Sequence, residues 1–179
     1  MKIIVLVKQV PDSTEIRVDK VTGTLIRAGV PSIINPDDLA GVEAALQLNE
    51  KMDATVTIVS MGPPQAAEML KELYARGVDE CVLITDRKFG GADTCATSTT
   101  LAGALNKIGY DLIIAGRQAI DGDTAQGGPQ TAERLGIPQV TYVDEIIDVT
   151  DTTVTVKKSL EDSEEIIEAK LPCVLTTLS

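Results

Sequence analysis

The sequence contains no histidine and no tryptophan, one phenylalanine, three tyrosines and three cysteines in 179 residues. Without histidine there is no imidazole base, no histidine-based triad and no mixed Cys/His zinc site. Cys81, Cys95 and Cys173 are odd in number, widely spaced and form no CxxC, so they read as reduced, buried thiols of a cytosolic protein. Neither GxGxxG nor GxxxxGK[ST] occurs, and Asp121 with Asp123 is the one close carboxylate pair in a setting that invites acid/base work. Any chemistry must therefore come from a cofactor or a partner. Positive charge is also scarce. Sixteen Lys and Arg stand against 27 Asp and Glu, for a net charge of -11. That field repels polyanions, and no basic cluster offsets it, which argues against nucleic acid as a partner. The longest early apolar run, "IIVLV", is too short for a signal-peptide core or a membrane span. A cytoplasmic protein without membrane insertion is expected.

What the chain does have is apolar content, 44% of it, enough for one core and a single α/β domain over residues 1–179. Runs at 2–7, 54–60, 80–85 and 111–116 are short, rich in Val and Ile and nearly continuous, the pattern of strands buried on both faces. Helices are expected between them. Asn35-Pro36 with Asp37 and Asp38 opens one over about 36–51, with Asn35 as the cap. Pro63-Pro64 opens a second, in which Ala66, Leu70, Leu73 and Tyr74 recur at helical spacing before Arg76-Gly77. Thr97, Leu101, Ala104, Leu105 and Ile108 define a third, ended by Gly109, and a fourth runs from about 124 to 135. Four strand–helix repeats predict a mostly parallel sheet with helices on both faces. A hairpin around Thr22-Gly23 interrupts the first unit, and residues after 139 form further strands, partly antiparallel and charged enough for an edge.

Three segments follow predicted strands: "VKQVPDS" at 7–13, "SMGPP" at 60–64 and "GRQAIDGDTAQGGPQT" at 116–131. In a parallel sheet they meet along one edge, beside the helix start "NPDD", and ligands bind at such edges. Gly116, Gly122, Gly127 and Gly128 permit close backbone approach, and a helix starting near Thr124 offers free N–H groups to a phosphate. Lys8 and Arg117 can supply formal positive charge there, while Asp121, Asp123 and Thr124 can bond to ribose or ring nitrogens. A structural reading fits the same residues. The aspartates and Thr124 serve equally as turn and cap residues, "NPDD" is accounted for by a capped helix, Lys8 by solvation, Met61 and Cys95 by packing.

The ordered segments "VLVKQVPD", "INPDDLAGVEAALQL", "VSMGP", "GGADTCATSTTLAGAL", "AGRQAIDGDTAQGGPQTAERLGIPQVTYV" and "LPCVLTT" closely resemble the beta subunit of electron transfer flavoprotein over nearly the whole chain. The resemblance implies an adenine-nucleotide alpha-hydrolase-like, Rossmann-like fold and an electron-carrier subunit rather than an enzyme. It also implies an alpha-subunit partner and traffic between a flavin dehydrogenase of the acyl-CoA type and an acceptor. The nucleotide contacts that it implies are Leu6, Lys8, Asn35, Asp37, Asp38, Ser60, Met61, Gly116, Arg117, Gln118, Asp121, Gly122, Asp123, Thr124, Ala125, Gln126, Gly127, Gly128 and Thr131.

Simple carriers of this family hold AMP and carry a loop like "AIDDD". Here Gly122 takes the middle place and Thr124-Ala125 follows, a variant that resembles the electron-bifurcating branch, in which the site holds a second FAD that accepts hydride from NADH. Glycine at 122 removes bulk and charge beside a larger cofactor. With so few aromatic residues, a flavin here is flanked by backbone, aliphatic groups or another subunit. Relatives of that branch carry a larger aliphatic residue at 127, so Gly127 implies a looser helix start. Family members continue beyond "LPCVLTT" into a segment that wraps the alpha subunit and docks the dehydrogenase; this sequence ends at Ser179, so the expectation for it centres on the nucleotide site. Two other classes are consistent with the same sheet: a stand-alone adenine-nucleotide-binding module of the universal-stress kind, whose spaced phosphate motif is missing here, and a structural partner without ligand.

Overall fold

The computed structural model describes residues 1–12, 19, 21 and 31–179. In chain order the elements are β1 (Lys2–Leu6), β2 (Gln9–Pro11), β3 (Ser32–Ile34), α1 (Pro36–Lys51), β4 (Thr55–Met61), α2 (Ala66–Ala75), β5 (Glu80–Ile84), a 3-10 turn (Arg87–Phe89), α3 (Thr94–Ile108), β6 (Leu112–Gly116), α4 (Gly127–Leu135), β7 (Gln139–Val149), β8 (Thr153–Ser159), β9 (Glu164–Lys170) and β10 (Cys173–Thr177). The strands form an eight-stranded sheet ordered β5-β4-β1-β6-β10-β7-β8-β9, parallel from β5 through β7 and antiparallel beyond. β2 and β3 pair separately, antiparallel. The hairpin expected around Thr22-Gly23 lies outside the described residues.

Runs without alternation need cover on both faces, and here they have it. Odd positions of β1, with Val56, Ile58, Ile114 and Leu175, pack under α1 and α2 through Val42, Ala45, Leu48, Met69, Leu70 and Leu73. Ile4, Leu6, Val59, Ile113 and Val174 pack under α3 and α4 through Leu101, Leu105 and Ala132. Each fully buried Ile or Leu contributes about 1.5–3 kcal/mol of transfer free energy, so the centre of the sheet is the stable part of the molecule. Tyr74, expected on the apolar stripe of α2, is 60% exposed, while Ala66, Leu70 and Leu73 are buried as the spacing predicts.

From β1 the chain moves outward through β4 to β5, then returns to place β6 on the other side of β1. The reversal makes β1/β6 a topological switch point, where the connections leave toward opposite faces and open a crevice at the strand carboxyl ends. The stretch 164–178, "EEIIEAKLPCVLTTL", divides at Leu171-Pro172. Its first half is the exposed edge strand β9, and its second is β10, buried throughout between β6 and β7. β7 changes partners along its length. Tyr142 at φ +59° and irregular register opposite Leu175/Thr177 bend it away from β10 toward β8.

Candidate functional site at the carboxyl edge

At this crevice the loop after β1, the start of α1 and the loop after β6 are tied by buried side chains. Asp38 is 7% exposed. Its Oδ2 accepts the Lys8 backbone N–H at 2.7 Å and its Oδ1 the Gly116 N–H at 3.2 Å. Asn35, fully buried, donates from Nδ2 to the Gln118 carbonyl at 2.8 Å and accepts the Ile120 N–H at Oδ1, 3.1 Å away. Asn35 holds the cap position of α1 as expected, with Pro36 after it, but a side-chain capping bond would be the usual accompaniment. That bond is absent; the side chain is spent across the crevice on the 117–120 loop. Burial drives the Asp38 pKa up to about 7 against the lowering influence of the Lys8 and Gly116 N–H groups and Asn35.

Two cations stand at the same edge. Lys8 Nζ donates to Asp121 Oδ1 at 2.6 Å, bridging the loops after β1 and β6, with the Lys8 side chain 43% exposed and that of Asp121 3%. Arg117 Nε lies 3.6 Å from Asp37 Oδ2, an ion-pair distance too long for a hydrogen bond, and both atoms are buried without a hydrogen-bond partner. Ser60 Oγ, on buried β4, is likewise without one. Polar atoms without a hydrogen bond are uncommon in a protein interior; of these three, Asp37 Oδ2 and Arg117 Nε face each other, and Ser60 Oγ lies near the carboxyl end of β4.

The fourth helix starts at Gly127, three residues later than expected, and Thr124 does not cap it. Asp123 and Ala125 both take φ +52°, a left-handed conformation that cannot begin an α-helix. Gln126 at φ -103°, ψ -21° then occupies the cap position, without a side-chain capping bond. A positive-φ residue followed by a right-handed one, as at Ala125 and Gln126, is the arrangement that can turn successive N–H groups toward one side, and α4 begins directly after it. Pro129 falls in the first turn, where its missing N–H costs nothing.

Other expected site residues are placed differently. Leu6 is 8% exposed and its side chain packs into the α3/α4 core. Met61 packs against that core as a half-buried residue. Thr131 is buried and its hydroxyl donates to the Gly127 carbonyl at 2.7 Å, inside the helix. Gly122, Asp123, Thr124, Gln126 and Gly127 are exposed on the loop, whereas Gly128 is buried. Thr94, which was not expected in the site, donates to Gln126 Oε1 at 2.9 Å and so ties the start of α3 to the start of α4. The sequence signal was the "GGADT" segment, which no spacing rule connects to residue 126. Of the cysteines only Cys173 is fully buried. Cys95, expected inside, is exposed with Arg134 Nη2 3.0 Å from its sulfur, because position 95 lies in the first turn of α3, facing α4 rather than the sheet.

Comparison with known proteins agrees with this architecture. A family model described as electron transfer flavoprotein domain matches residues 22–179. The chain is 57% identical over 178 residues to the electron transfer flavoprotein subunit beta of Clostridium acetobutylicum, covering 99% of this chain and 68% of that protein. It is 54% identical to the caffeyl-CoA reductase-Etf complex subunit CarD of Acetobacterium woodii (98% and 68% covered) and 50% identical to the acryloyl-CoA reductase electron transfer subunit gamma of Anaerotignum propionicum (99% and 67%). The chain thus spans about two thirds of the length of these relatives. The family match disfavours the reading as a universal-stress-like module. Among the described residues no helix is long and apolar enough to cross a membrane, and no group of His, Cys, Asp and Glu is arranged for a metal ion.

Proposed function

The chain belongs to the electron transfer flavoprotein family as a beta subunit, and from that premise we propose that its carboxyl-edge crevice binds an adenine nucleotide, FAD or AMP, within an electron-carrier complex. The observation that carries this reading is the convergence of the Lys8 loop, the Asn35–Asp38 helix start and the Gly116–Gly128 loop on one crevice at the switch point. Such a crevice suits a nucleotide for physical reasons. A chain of net charge -11 repels a diphosphate at long range, so attraction must be local. The N–H groups from Ala125 to Gly128 supply it without formal charge, and Lys8 and Arg117 add two cations. Asp123, exposed on the loop, can accept from ribose hydroxyls, Asp121 holds the Lys8 ammonium at the crevice, and Ser60 Oγ offers a buried polar contact at the end of β4.

Asp38 and Asn35 act one step back from the ligand. Their polar atoms are engaged with backbone groups of both loops, so they fix the crevice rather than line it. A bound flavin supplies electron transfer and, in the bifurcating variant, acceptance of hydride from NADH. The residues of this chain hold the nucleotide, orient it and shape its surroundings. Gly122 favours the bifurcating variant with FAD: it is exposed, and a Cβ built there meets nothing within 4 Å, so the loop tip leaves space for a larger cofactor. An electron transfer flavoprotein alpha subunit and an acyl-CoA-type dehydrogenase are the partners this function requires, and a cytoplasmic location accords with it.

The test is the visible spectrum of the purified chain, followed by denaturation and chromatography of the released nucleotide. FAD absorption and release support the bifurcating-type reading, and AMP from colourless protein places the chain with the simple carriers. If nothing is released and neither FAD nor AMP binds on addition, the nucleotide role of this crevice is rejected.

A further inference from the structure

At the opposite end of the sheet from β5, strands β7, β8 and β9 form an antiparallel limb that the nucleotide function does not use. We propose that this limb is a docking surface for a second polypeptide carrying a basic, strand-forming segment, which pairs with the outer edge of β9.

β9 is ladder-paired to β8 along all seven residues, and among the described residues no strand lies on its other side. Its register is pinned. Ile167 and Ala169 face Val156 and Val154 on the side that joins the core, so Glu164, Ile166, Glu168 and Lys170 face outward together. Ile166 is 63% exposed, and Ile147, at the irregularity where β7 shifts register, is 48% exposed. A seven-residue edge that exposes a large aliphatic side chain presents a ready template for strand addition.

Charge chooses the occupant. Residues 144–170 hold nine carboxylates and three lysines, which places six of the eleven net negative charges of the chain on about a seventh of its length. One of those lysines is already committed: Lys157 Nζ lies 2.7 Å from Asp144, 3.8 Å from Glu145 and 3.8 Å from Glu164. A second copy of this chain would bring the same negative limb and be repelled. The complement of the outward face Glu164-Ile166-Glu168 is a strand with Lys or Arg, an apolar residue, and Lys or Arg at alternate positions, giving opposite-charge cross-strand pairs on either side of an aliphatic contact.

The probe is an end-capped peptide, Thr-Lys-Thr-Val-Thr-Lys-Thr, added to the full chain and followed by amide hydrogen exchange and NMR shifts. Two control peptides are used, one with Glu for Lys and one with Pro in place of the two central Thr residues. The proposal expects slowed exchange at every second amide of residues 164–170, binding weakened about tenfold by half-molar salt, and a loss of about tenfold on Ile166→Glu. Ile166 is exposed, so that variant keeps the fold, which an unchanged amide spectrum in β1 and β6 verifies. Equal binding of either control peptide, unaltered exchange in β9, or undiminished binding by Ile166→Glu overturns the proposal, and the acidic residues of β9 then serve only to keep an edge unpaired.

Discussion

The carboxylate of Asp38 and the backbone N–H of Gly116 meet at 3.2 Å, which fixes the last residue of β6 to the first turn of α1. The contact is possible because residue 116 has no side chain. A Cβ there would overlap Asp38 Oδ1 and lie 2.7 Å from the Asp37 carbonyl carbon and the Asp38 nitrogen. Those backbone atoms belong to a helix seated on the sheet and cannot yield cheaply. Gly116→Ala is therefore expected to cost about 3 kcal/mol in urea unfolding and to abolish nucleotide retention. Wild-type stability in that variant would show that the crevice is not set by this contact.

The burial of the same carboxylate sets the sign of the pH dependence expected of the molecule. Its folded pKa of about 7 lies above the ordinary 3.8, so the unfolded chain releases the proton first as pH rises. Stability from Asp38 is fully present below about pH 3.8 and is lost progressively until pH passes 7, a span worth on the order of 4 kcal/mol. Comparison with Asp38→Asn, which cannot ionise, isolates it. The stability difference, wild type minus variant, falls between about pH 4 and pH 7 and levels off above, and the Asp38 carboxyl carbon titrates near 7 by NMR. A midpoint below 5 contradicts the assignment.

The layered sheet was legible because continuous Val/Ile runs and proline-marked helix starts are local signals. The meeting of the loops after β1 and β6 was legible as well, since parallel strands of one sheet share a carboxyl edge. What sequence could not show is where a polar side chain spends its bonds. Asn35 looks like a cap residue, yet it reaches residues 83 and 85 positions away. The late start of α4 was hidden because left-handed backbone at Asp123 and Ala125 is imposed by tertiary context on residues that do not demand it. The residues after 139 read only as further strands, because nothing in "EEIIEAKLPCVLTTL" says that its second half inserts between β6 and β7.

Adjacent glycines at the start of α4 have opposite requirements. At Gly128 a Cβ would stand 2.6 Å from Thr176 Cγ2, because the helix rests directly on β10, whereas at Gly127 nothing lies within 4 Å. Gly127→Ala should raise stability by about 0.4–1 kcal/mol through reduced unfolded-state entropy and leave nucleotide binding intact or tighter. Gly128→Ala should lower it by about 1–3 kcal/mol. Thermal unfolding of the two variants reads both signs, and a destabilised Gly127→Ala would mean that its backbone needs a glycine.

Gly122→Asp separates cofactor choice from folding. The site is exposed and open on all sides of the missing Cβ, so the substitution leaves the core and the Asn35 and Asp38 contacts untouched. Its effect falls on whatever occupies the crevice. A third carboxylate between Asp121 and Asp123 narrows the loop tip and adds negative charge where FAD would extend beyond the adenosine half. FAD affinity is expected to fall by about tenfold or more, the equivalent of one like-charge contact at a partly screened edge. AMP, which lacks the second phosphate and the flavin half, should bind within about twofold of the wild type. Titrations of both nucleotides against both proteins at one salt concentration make the comparison. Parallel losses of FAD and AMP would show that residue 122 touches the part the two ligands share, and the distinction between carrier and bifurcating forms would then have to be sought elsewhere in the loop.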